Sequence, residues 1–430
     1  MRFLIIGLFS LSLFSQELSK SIETKKMLLS FLKKDFELYN NNLSKNKIAS
    51  KTLLKFHKNQ QKLISNNIKA EVYFFEGKHQ FFLEEIVSQL IKENPQELIN
   101  RNIRVFVSSS ILPNAANIGY NILLVNKGLF NQLDSKEQVK AIIAHELSHL
   151  ILNHHEKVIE KRVENIISDN YKKDISSIKL NNPSNTKLLK LYKKYRFGFA
   201  SFKRKQEFEA DSLSLKLLKE TKDNFSLLKV TLNKISENYS FDFNKLKSET
   251  IKNMAKNILL DVNEKWFLKN YQPQKEIENK EKGLELNRDS IRTHPKLEQR
   301  LNHLEKIYKI DTLKLKTKYV DLIEDNQKEF LNLKEASYLE AAVTLNSQKR
   351  YFESLYYNLL QYQDFSNFGL TNDLVRNNFN FFLDLKNQNK LEAYFNFLEI
   401  TKNNKDYILL INFLLHISKE ELTGLISNLE

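Results

Sequence analysis

Two histidines four residues apart, with a glutamate directly after the first, stand in the run Ala141-Ile142-Ile143-Ala144-His145-Glu146-Leu147-Ser148-His149-Leu150. No other stretch limits the fold so strongly. Its apolar residues recur at helical spacing, and on a helix positions i and i+4 share one face, so His145 and His149 can grip a single ion. Imidazole nitrogens from consecutive turns, about 5.4 Å apart along the axis, can each reach one Zn²⁺ at about 2.0–2.1 Å. Glu146 is rotated to the side, near the ion without binding it, where it can accept a proton from water that zinc has acidified. This is the H-E-x-x-H pattern of zinc hydrolases. The competing reading, a helix that merely displays surface histidines, requires no third ligand anywhere in the chain.

Val139, Ile142, Ile143, Leu147, Leu150 and Ile151 make the rest of this helix apolar. A helix of that kind is buried, and a buried His-Glu pair needs polar partners. Ser135 stands three residues before Gln138 and predicts a capping box at its start. His154 and His155 follow at its end and read as cations near a helix C-terminus, since two ligands already come from this helix.

A second helix is expected from Lys203 to Leu218, with Glu207 and Asp211 at i and i+4. Glu207 can supply the third ligand of a two-His-one-Glu catalytic site holding one Zn²⁺ per chain, with a fourth position left for water. Asp211, one turn on, can accept a hydrogen bond from the free nitrogen of a ligating histidine and fix its tautomer. Without the first motif the same acidic pair would read as a solvated face meeting lysines.

The remaining chain supplies the frame. Met1-Arg2 followed by the apolar run Phe3 to Phe14 and then Ser15-Gln16 has the form of an export signal, residues 1–16; an uncleaved N-terminal anchor is the alternative. The run is short of the roughly 20 residues a span needs, and no later segment reaches that length, so the mature chain is expected to be soluble in the periplasm or cell envelope. There is no cysteine, which excludes disulfides and a lipid-modified cysteine. Residues 17–74 are helical in pattern. Ile103, Val105 and Val107 alternate, and Tyr120 to Val125 is rich in β-formers, giving two strand candidates on either side of the turn-forming stretch Pro113 to Gly119. They make either an ordinary hairpin or an edge on which an extended peptide docks. The net charge of +15 is spread over nearly every segment and forms no basic stripe with interleaved aromatics, which argues against nucleic acid as a partner.

With these residues in hand, His145-Glu146-Leu147-Ser148-His149 followed by Glu207-x-Glu209-Ala210-Asp211 resembles the zinc endopeptidase family that includes the CAAX prenyl protease, the heat-shock protease HtpX and the periplasmic β-barrel assembly-enhancing protease. Asn114-Ala115 through Gly119 to Gly128-Leu129 is similar to that family's strand and loop before the catalytic helix, which makes Asn114, Ala115 and Gly119 candidates for the substrate strand. Ala116 stands where an aromatic is usual and Tyr120 where a second glycine is usual. Arg292-Thr293-His294-Pro295, with Arg300 beyond, is similar to the family's downstream Thr-His-Pro segment, and His294 is a candidate fourth ligand or gate; a plain helix start at Pro295 is the alternative. The soluble exported branch fits best.

The resemblance implies an α+β zincin-like peptidase domain, mainly α with a small β-sheet, over residues 75–305. An all-α C-terminal region, 306–430, follows, loosely similar to helical repeats. The expected function is an exported zinc metalloendopeptidase of envelope protein quality control, acting on unfolded or envelope proteins. A non-catalytic periplasmic chaperone or scaffold with a structural zinc site is the rival from another class.

Overall fold

The computed structural model describes residues 2–44, 51–181, 185–219, 221–236, 246–257, 260–267, 295–309, 327–366, 371–397 and 405–429. Helix α1 (Arg2–Ser44) runs without a break through the expected processing point at Ser15-Gln16; the stretch holds no proline to interrupt it. Helix α2 (Lys51–Lys69) packs back against it. Leu32 and Phe36 of α1 and Ile64 and Ile68 of α2 close a small core with Phe106, Tyr120 and Ile122.

Next come β1 (Tyr73–Phe74), α3 (Lys78–Glu93), α4 (Pro95–Leu98), β2 (Arg104–Ser108), β3 (Ala115–Asn117) and β4 (Ile122–Asn126). The strands form one sheet in the order β1-β2-β4-β3. The two strands foreseen from β-forming residues, β2 and β4, are parallel neighbours in the register Arg104↔Ile122 to Ser108↔Asn126, not a hairpin. Parallel strands are covered on both faces, and here Val105 and Val107 enter one core while Phe106 enters the other. The turn-forming stretch Pro113 to Gly119 contains β3, antiparallel to β4 at the sheet edge.

Helix α5 (Gly128–Gln132) leads into α6 (Lys136–Ile151), which carries the histidine pair. A Cβ on Gly128 would lie 2.1 Å from the carbonyl oxygen of Ile111, so only glycine permits this corner. At the start of α6 the Ser135 hydroxyl accepts the Gln138 N–H at 3.3 Å. The Gln138 side chain accepts the Asp134 N–H at 2.7 Å. Helices α7 (His154–Ile167), α8 (Asp169–Asn181), α9 (Asn185–Leu217), α10 (Lys222–Ser236), α11 (Ser248–Asn257) and α12 (Leu297–Tyr308) follow, with a 3-10 turn at Glu264–Phe267.

The C-terminal part is helical: α13 (Gln327–Ser347), α14 (Tyr351–Phe365), α15 (Asn372–Asn387), α16 (Leu391–Phe397), α17 (Lys405–His416) and α18 (Lys419–Ser427). The fold is thus mainly α with one small sheet, as the periodicities predict. Two large cores hold it together. One joins the sheet, α3, α6 and α10, and takes in Phe330 and Leu333 of α13. The other is aromatic, spans α13 to α18, and receives Trp266 from the 3-10 turn. Trp266 is fully buried, its ring 5.5 Å from that of Phe413 and its indole N–H donating to Glu421 at 3.0 Å. Among the described residues no helix is long and apolar enough to cross a membrane.

Candidate metal centre

Helices α6 and α9 pack closely and bring the predicted ligands to one point. The Nε2 atoms of His145 and His149 lie 3.1 Å apart. Glu207 approaches them at 3.6 Å and 3.7 Å, too far for hydrogen bonds. One ligand atom from each of the three residues falls within 4.8 Å of the others, in a buried setting that solvent screens little.

Both imidazoles are gripped from behind. His145 Nδ1 lies 3.2 Å from Asp211 Oδ1, and Asp211 is fully buried and held by Arg300, whose Nε donates to Oδ2 at 2.7 Å and whose terminal nitrogen donates to Oδ1. His149 Nδ1 lies 2.9 Å from His154 Nδ1. With His145 Nδ1 beside the Asp211 carboxylate and His149 Nδ1 beside His154, the two Nε2 atoms face each other beside a carboxylate. Three acceptors at such range require a positive charge among them, and two imidazoles with one glutamate are the ligand set of catalytic zinc. The residues fit the metal.

The local electrostatics express the same demand. Burial by itself would lower the pKa of His145, but the Asp211 and Glu207 carboxylates beside the ring outweigh it and raise the value to about 10. Burial and the neighbouring His145 charge push His149 down to about 3. Burial works against ionisation of Asp211 as well, yet Arg300 and His145 hold its pKa below the ordinary value.

Glu146 is half-buried on the next face of α6. Its Oε2 accepts the backbone N–H of Asn117 in β3 at 2.8 Å. Of the candidate substrate strand, Ala115 lies in β3 with Asn114 just before it, and Gly119 follows at φ +83°. A Cβ on Gly119 would meet the His155 ring at 2.5 Å, so both backbone angle and space call for glycine. The next residue, Tyr120, takes φ +57° where glycine would cost least, and its hydroxyl lies 2.8 Å from His57 Nδ1. His294 lies outside the described residues.

The structure corrects the reading of His154 and His155 as helix-end cations. Both lie in the first turn of α7 rather than at a helix C-terminus, and burial pushes His155 to about 4 and lowers His154 despite the pull of Glu209. Arg300 entered the sequence reading only as a residue beyond Thr-His-Pro. Its role had one available signal, since a buried Asp211 demands a buried cation.

Residues 79–308, more than half of the chain, match the model of peptidase family M48. No curated protein matches the chain.

Proposed function

The chain belongs to peptidase family M48, and on that premise we propose that it is an exported zinc endopeptidase that hydrolyses unfolded or envelope proteins. The observation that carries the reading is the convergence of the two Nε2 atoms and the Glu207 carboxylate, one ligand atom from each within 4.8 Å of the others. His145, His149 and Glu207 would hold Zn²⁺, which when bound polarises the scissile carbonyl and acidifies water.

The chain's own groups supply the rest. An extended substrate would lie along β3, an edge strand of the sheet. Ile118 N–H donates to Ile122 and Asn126 N–H to Asn114, so by alternation Ala115 and Asn117 turn their backbone groups away from β4. Asn117 directs its N–H at Glu146 and so registers the base against the strand. Glu146 would take a proton from the attacking water as its oxygen bonds to the carbonyl carbon, then deliver that proton to the amine as the C–N bond breaks.

Export rests on the sequence of residues 1–16; N-terminal sequencing of the mature protein tests it. For the chemistry, Glu146→Gln is expected to bind zinc as the parent does and to lose casein cleavage by about 10²–10⁴-fold. Full cleavage by that variant would refute the mechanism. Bound zinc without any chelator-sensitive cleavage in the parent would favour the scaffold reading.

A further inference from the structure

On an uninterrupted helix His149 and His154 would point about 140° apart, because each residue turns the chain by about 100°. Their rings could not meet. The chain avoids this by ending α6 at Ile151 and placing Asn153 at φ 53°, ψ 40°, a left-handed conformation that asparagine enters more readily than most residues. The break starts α7 at His154 and turns its ring back against His149, with centroids 4.9 Å apart at 70°. His154 is 2% exposed. Its backbone carbonyl accepts from the Gln206 amide at 3.2 Å, which ties the start of α7 to α9.

The hydrogen bonds then assign the protons. Glu209 Oε2 lies 3.0 Å from His154 Nε2, and a carboxylate oxygen accepts from a ring N–H, so Nε2 is the donating nitrogen. His154 Nδ1 is left as an acceptor. The hydrogen between the two Nδ1 atoms, 2.9 Å apart, therefore belongs to His149. His149 Nε2 is the lone-pair nitrogen, and it is the one that faces His145 and Glu207.

We propose that His154, presented by the left-handed break at Asn153 and oriented by Glu209, is a positioning residue of the metal site that fixes His149 in its Nδ1–H tautomer. The proposal rests on the ligand set assigned above. It assigns Glu209 a purpose distinct from that of Glu207 and Asp211. A negative charge at the protein surface is relayed through two neutral rings, making the His149 Nε2 lone pair a stronger donor.

The test is zinc affinity of the full chain by chelator competition, with thermal melting as the check on folding and the visible spectrum of the Co²⁺-loaded protein as the check on ligand geometry. His154→Phe keeps a ring in place but offers no acceptor, whereas His154→Gln offers an amide oxygen to the His149 N–H. The expected result is a 10–100-fold loss of zinc affinity with an altered Co²⁺ spectrum in His154→Phe, and recovery of most of the loss in His154→Gln. Glu209→Gln, at the rim with 41% of its side chain exposed, should lose less than His154→Phe in the same direction. Zinc affinity in both His154→Phe and Glu209→Gln equal to the parent, while His149→Ala loses the metal, would overturn the proposal and leave the ligand set standing. Retention of zinc by His149→Ala would overturn both.

Discussion

The two histidines of α6 present the same nitrogen to the same point, yet they are held by opposite means. Behind His145 stands a sealed ion pair, Asp211 and Arg300, both buried and doubly hydrogen-bonded. Behind His149 stands a neutral ring, His154, whose own partner Glu209 is 41% exposed and lies 3.8 Å from Lys205. The first support joins α9 to α12 across the interior and is inseparable from folding. The second is built within one turn of a chain reversal and ends in solvent. A metal site can thus be anchored on one side by the core and adjusted on the other from the surface.

Four measurements would break or sharpen that contrast. Arg300→Ala should have the largest effect, since it leaves Asp211 buried without its cation; a loss of about 3–5 kcal/mol in unfolding free energy is expected. Denaturant titration showing less than 1 kcal/mol would mean that the interior side is not sealed. Asp211→Asn should weaken zinc binding by about 10–100-fold and exceed Glu209→Gln in the same competition assay; the reverse order would invert the assignment of anchor and adjuster.

Acid provides the third. His57 and His79 are buried like His145, but their ring partners are neutral: the Tyr120 hydroxyl for one, the Leu333 carbonyl and Ser337 for the other. Burial lowers both to about 4. Since their pKa in the unfolded chain is near 6.5, protonation favours unfolding, so the stability they allow is complete above pH 6.5 and drains away as pH falls toward 4. A loss on the order of 1–3 kcal/mol over that window is expected in pH-dependent melts, and replacing His79 with Gln should flatten it. The smallest effect belongs to Lys127→Ala. Its pair with Glu340 is partly exposed, and about 0.2–1 kcal/mol is expected; a larger loss would place that contact with the buried supports.

Helical periodicity made the metal helix, Glu207 and Asp211 legible because each pattern lies within two turns of one helix. The expected all-α C-terminal region is likewise helical, with α13 and α14 joined by a short connection. What escaped depends on segments far apart in sequence. The parallel pairing of β2 and β4 turns on burial from both sides, whereas alternation alone fits a hairpin equally well. His154 escaped because its place after the last apolar residue of α6 reads as a helix end; the left-handed Asn153 leaves no period behind. Arg300 meets Asp211 across 89 positions, with no local pattern to announce it.

The placement of Phe330 and Leu333 in the core beneath α6 has a consequence in time. His79 finds its partners in Leu333 and Ser337, 254 and 258 residues later, so the interior that supports the catalytic helix cannot close until α13 has been synthesised. Contacts of such separation form late. A nascent chain holding every residue of the site but not yet α13 lacks part of the packing that rigidifies it, which delays a finished peptide-cutting centre until most of the polypeptide has been made.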